Sequence, residues 1–169
     1  GGTDMGDIKF VIPNEVVREQ IFSYLLDTYK ENDLTFDSSD IRTKEKFMAY
    51  RGEFKPFFQY IADCIYTFSS QRDRQKGEAF VHGFTLALTS QCRFYRPISE
   101  LDNQNGYADV FLRPRCEIYK DMEHSYIIEL KYLKSNATEA EVKAAVKQAE
   151  AQVCRYADTV NVNDNIGHT

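Results

Sequence analysis

The sequence predicts an α+β domain: helices first, then an antiparallel meander of three strands, then one long helix. Three observations carry that expectation. Apolar residues recur at helical spacing up to Leu88 and again beyond Thr138. Between them, from Cys92 to Leu133, the period shortens towards two and turn-forming residues break the runs. The chain has 169 residues, 43% hydrophobic and 28% charged, which suits one globular domain over residues 1–169.

Taken in order, Pro13-Asn14-Glu15 opens a helix, because proline fits a first helical position and an acid fits the positive end of the helix dipole. Val16, Val17, Ile21, Phe22, Leu25, Leu26 and Tyr29 give that helix its apolar face. Residues 31–42 are polar and read as a loop with caps. A second helical region follows, interrupted around Gly52 and Pro56, and its later part carries Phe57, Phe58, Ile61, Ile65 and Phe68. The stretch from Ser69 to Lys76 reads as a charged loop holding Arg72, Arg74 and Lys76. A third helix is expected from Gly77 to Leu88.

Three strands are then expected, over Cys92–Leu101, Tyr107–Arg113 and Ser125–Leu133, the first two joined by the turn-rich Asp102-Asn103-Gln104-Asn105-Gly106. Thr138, with Glu141 three residues on, forms a capping-box pattern at the head of the last helix, which ends near Asp158. Residues 161–169 are polar and expected to be a frayed tail. A three-stranded sheet has two edges to protect, and a final helix normally leads back to a further strand. The last core strand is therefore expected to be missing, supplied by another segment or chain, and the chain to be a C-terminal fragment of a larger protein.

Composition narrows the function classes. No apolar run approaches the roughly 20 residues of a membrane span, and the N-terminus has no secretory pattern. Cys64, Cys92, Cys116 and Cys154 are far apart, as are His82, His124 and His168, which disfavours a zinc site and fits reduced thiols in the cytoplasm. A net charge of −5 argues against broad electrostatic gripping of nucleic acid, though not against a local basic groove to which Arg93, Arg96, Arg113 and Arg115 would contribute.

The chemistry concentrates in Tyr126-Ile127-Ile128-Glu129-Leu130-Lys131-Tyr132. In a strand Glu129 and Lys131 share one face, while Ile128 and Leu130 take the other. Two ionised groups among β-formers are costly to bury without partners. The preceding strand adds Asp109 within Gly106-Tyr107-Ala108-Asp109-Val110, and antiparallel pairing would bring it beside Glu129. Two carboxylates so placed repel unless a cation sits between them, and Mg²⁺ (or Mn²⁺) prefers oxygen ligands while keeping several waters. Lys131 would orient an attacking water or stabilise charge developing at phosphorus.

These residues resemble the PD-(D/E)xK nuclease superfamily, with Asp109 as its first acid and Glu129-Leu130-Lys131 as its (D/E)xK element. The nearer likeness is to the branch found C-terminal to an ATPase-like domain in Bacteroides-type bacterial proteins. There a helical Glu-x-Phe-x-His, a Gly-x-x-Asp strand, an acid-x-Lys strand and a helix with Gln and a later Tyr recur. The matching residues are Glu78 to His82, Gly106 to Asp109, Glu129 to Lys131, then Gln148 and Tyr156. The resemblance implies a restriction-endonuclease-like fold and a catalytic set of Asp109, Glu129, Lys131 and Gln148. It also implies metal ligands Glu78, Asp109 and Glu129, a nucleic-acid substrate with DNA favoured over RNA, and an ATPase-like domain in the same full-length protein.

Blander readings stand beside each assignment. An isolated Glu-x-Lys in a strand is usually a solvated pair, and Glu78 near a helix start is favoured there by the dipole alone. Gln148 suits a solvated helix position, Tyr156 suits core packing, and His82 is expected to be a satisfied helix histidine rather than a base. At the level of the chain, the alternatives to a nuclease are a catalytically idle binding or assembly module and a helical cap on a sheet with no ligand.

Overall fold

A computed structural model of the chain describes residues 37–71, 77–103, 106–134 and 136–157, together with positions 20, 23, 24, 27 and 28. Those five positions are helical. The rest of the helix expected from Pro13 lies outside the described residues, as do Arg72, Arg74, Lys76 and the tail 161–169.

The elements are α1 (Ser38–Arg51), α2 (Lys55–Gln71), α3 (Glu78–Thr89), β1 (Tyr95–Asn103), β2 (Gly106–Pro114), β3 (Tyr126–Ile128) and α4 (Glu139–Ala157). Residues expected as a loop as far as position 42 are thus helical from Ser38. Asp37 is the reason: its backbone is extended (φ −89°, ψ 108°), and its carboxylate accepts the N–H groups of Ser39 and Asp40 at 2.7 and 3.3 Å. The same polar residues that suggest a loop are the ones that start a helix. Gly52 ends α1 in the left-handed region (φ +69°), and Pro56 occupies the second position of α2, where its missing N–H costs nothing. The helix then runs on to Gln71, past the expected loop start at Ser69.

β1 and β2 form an antiparallel hairpin in which Asn103 pairs with Gly106, and β2 pairs antiparallel with β3, giving the order β1-β2-β3. The meander is as expected, but the third strand is not the nine residues from Ser125 to Leu133: its ladder stops at Ile128. Alternation splits the sheet into two faces. Val110 and Leu112, with Tyr126 and Ile128 opposite them, pack into one core with Tyr95, Met48 and Ala49 of α1, Phe57 and Ile61 of α2, and Phe84 and Leu88 of α3. Phe111, paired with Ile127, points the other way and is fully buried. α4 packs on β2 and β3, and its covered residues Ala145, Ala149, Gln152, Val153 and Tyr156 recur at helical spacing. The result is three layers, α1–α3, sheet and α4.

Polar contacts fix the loops to this frame. Tyr126 donates its hydroxyl to Met48 O (2.7 Å) and Tyr95 donates to His124 O (3.1 Å). The expected capping box is present: Glu141 accepts Thr138 N–H at 2.7 Å, and Thr138 Oγ1 accepts Glu141 N–H at 3.3 Å. No helix among the described residues is long and apolar enough to cross a membrane.

Candidate active site

The site is assembled where β2 and β3 end their ladder. Val110 with Ile128 is the outermost pair of the β2–β3 ladder, and Asp109 and Glu129 are the residues next beyond it on the two segments. Glu129 is the first residue beyond β3, and the chain there is no longer held by the ladder. The Asp109 carboxylate takes over that task, its Oδ2 accepting the Leu130 N–H at 2.7 Å. The strand direction is thereby carried two residues further by a side chain instead of a backbone carbonyl.

The alternation expected of Glu129 and Lys131 survives this change. Lys131 Nζ donates to Glu129 Oε1 at 2.8 Å, with the glutamate side chain only 4% exposed and the lysine side chain 27%. Glu129 Oε2 is buried and has no hydrogen-bond partner among the described residues. A buried carboxylate oxygen left without a donor is costly, so it calls for a cation or a water. The donor set is of hard oxygens, which suits a small divalent ion that retains most of its waters. The fit is limited to a pair of carboxylates: among the described residues no group of three or more His, Cys, Asp or Glu side chains is placed to hold a metal.

Other residues singled out from the sequence stand on the flanking helices. Glu78 is exposed in the first turn of α3, and Gln148 is exposed on α4. One turn further along α4, Gln152 is half-buried; its Nε2 donates to the Tyr156 hydroxyl at 3.4 Å, and its Oε1 is buried without a partner among the described residues. Sequence reasoning missed Gln152. The signal was available, since Ala145, Ala149, Gln152 and Tyr156 lie on one helical stripe while Gln148 sits beside it. His82, half-buried on α3, has its Nε2 3.0 Å from the backbone carbonyl of Asp109.

Glu129 and Lys131 also line an apolar groove of about 810 Å³ along the side of β3 away from β2. Its walls include Phe54, just before α2, and Phe58 of α2, together with Val142, Val146 and Val153 of α4.

A three-stranded antiparallel meander backed by helices is consistent with a restriction-endonuclease-like fold, and the comparison with known families agrees. The chain belongs to the PD-(D/E)XK nuclease superfamily, whose family profile matches residues 76–166, more than half of its length. Asp109, Glu129 and Lys131 all fall within the match. Members of this superfamily usually work with divalent metal ions. No curated protein and no solved structure matches the chain.

Proposed function

We propose that this domain is a metal-dependent nuclease that hydrolyses phosphodiester bonds of nucleic acid, DNA in preference to RNA. The observation that carries the reading is the buried Glu129 Oε2, without a hydrogen-bond partner among the described residues, beside Lys131, with the Asp109 carboxylate on the Leu130 N–H next to it in the chain. Asp109 and Glu129 would hold Mg²⁺ or Mn²⁺, which when bound lowers the pKa of a coordinated water and polarises a phosphoryl oxygen. Lys131 presents a fixed cation beside Glu129, where it would orient the attacking water or offset charge growing on the phosphate. Gln148 and Glu78 are assigned supporting parts on the family resemblance alone, hydrogen bonding and an accessory ligand respectively, since Glu78 is exposed at the start of α3 and is not grouped with the two carboxylates. The protein would work in the cytoplasm, joined to an ATPase-like domain.

The test pairs calorimetry with cleavage assays on single- and double-stranded DNA and RNA. Wild type is expected to bind Mg²⁺ or Mn²⁺, and Asp109→Asn to lose that binding. Lys131→Ala is expected to keep metal affinity and lose hydrolysis. Retained cleavage in Lys131→Ala would overturn the mechanism, and no metal binding with no cleavage would overturn the activity.

A second reading has its own support. The groove beside β3 leaves Val142 and Val146 exposed (42% and 52%) next to the side of β3 that has no partner strand among the described residues. That suits a catalytically idle module which assembles with its ATPase-bearing protein by accepting an extended segment along β3. A chain that neither binds metal nor cleaves would favour it.

A further inference from the structure

We infer that His82 is a positioning residue for the candidate site, tying α3 to the backbone of Asp109 and so fixing where the Asp109 carboxylate stands. The inference rests on the reading of Asp109 as a metal ligand. Asp109 is held from two sides: its Oδ2 takes the Leu130 N–H at 2.7 Å, and its backbone carbonyl lies 3.0 Å from His82 Nε2. A carbonyl oxygen has no proton to give, so Nε2 must carry the hydrogen and donate it, which fixes the state of that ring nitrogen.

The donor stands on a rigid support. His82 precedes six consecutive buried residues of α3, Phe84 to Thr89, and Phe84 belongs to the same core as Val110, the residue after Asp109. A tie between two immobilised elements holds a ligand within the few tenths of an ångström that a metal site needs. The contact turns Nε2 onto a backbone carbonyl and gives that nitrogen a holding part. It acts through Asp109, and partners of this kind typically change metal affinity by about 10–100-fold when removed.

Two variants separate the hydrogen bond from mere packing. His82→Leu removes the donor, whereas His82→Gln places an amide N–H close to the position of Nε2. In metal-free protein, amide exchange at Leu130 reports on the Asp109 carboxylate directly. His82→Leu is expected to speed that exchange by about fivefold or more, and His82→Gln to stay within about twofold of wild type. In Mn²⁺ titrations His82→Leu should weaken binding by about 10–100-fold and His82→Gln should restore it. Wild-type ring ¹⁵N shifts give a readout independent of either variant's folding: the hydrogen is expected on Nε2, and a ring protonated on Nδ1 alone overturns the inference. So does unchanged Leu130 exchange in His82→Leu, or an equal loss in both variants. Failure of wild type to bind Mn²⁺ would sink the metal reading, while Leu130 exchange would still decide the tie.

Discussion

Glu45 shows how much one side chain contributes once the chain is folded. It is 1% exposed on α1, and its carboxylate accepts the Phe94 N–H at 2.7 Å, fastening the start of β1 to the helix layer. Burial pushes its carboxyl above the ordinary value of 4.5, against the opposing pull of the Phe94 and Arg93 N–H groups and the Cys92 thiol. Between 4.5 and the raised folded value, the unfolded chain ionises Glu45 while the folded chain keeps its proton. This group's contribution to stability therefore falls as pH rises through that window. Urea midpoints for wild type and Glu45→Gln should diverge in favour of the variant as pH rises above 4.5 through the raised folded value, and a constant difference would refute the assignment. Nothing in the local pattern around Glu45 reveals this role, because its partner lies 49 residues away. Asp109, Glu129 and Lys131 were legible for the opposite reason: charged groups among β-formers stand out within a few residues of sequence. Gln152 was not recognised because a glutamine on an amphipathic helix is ordinary until its neighbours are known.

The boundaries of the elements depend on single residues. Gly52 closes α1 at φ +69°, and a Cβ there would stand 3.2 Å from His124 Nε2. Gly52→Ala should cost about 1–2 kcal/mol from the left-handed backbone alone, read as a lower denaturant midpoint at unchanged m-value. An unaltered midpoint would mean that the turn relaxes. The capping box at Thr138 was legible because both partners lie within one turn, and so was the break at Gly52 and Pro56. The start of α1 was misread because Asp37, Ser38, Ser39 and Asp40 suit a loop and a helix start equally, and only the downstream packing of Ile41, Met48 and Ala49 decides between them. β3 was expected too long for a related reason. The β propensity of Ser125–Leu133 favours continuation, but the ladder needs a partner, and beyond Ile128 the Asp109 carboxylate takes the Leu130 N–H instead.

For the whole molecule, the two faces of β2 make a distinction that can be measured. Leu112 belongs to the core shared with α1–α3, whereas Phe111 points to the α4 side, and both are fully buried. Leu112→Ala should cost about 2–5 kcal/mol and Phe111→Ala about 3–5 kcal/mol. Hydrogen exchange should differ more than the totals: Phe111→Ala is expected to release α4 before α1–α3, and Leu112→Ala to loosen α1–α3 first. Equal loosening of both layers in each variant would show that the sheet does not separate them.

By itself the sequence determined the α+β class, the order of helices and strands, the capping box at Thr138, and the three residues of the candidate site that stand out as charges among β-formers. Each is a short-range property, set by periodicity or by chemistry within about one turn or one strand. Tertiary structure alone decided which helices cover which face, where β3 stops, that Glu129 carries a buried oxygen without a donor among the described residues, and that His82 reaches Asp109. Those depend on residues brought together from distant parts of the chain, and whether a polar atom finds a partner is settled only when every neighbour is in place.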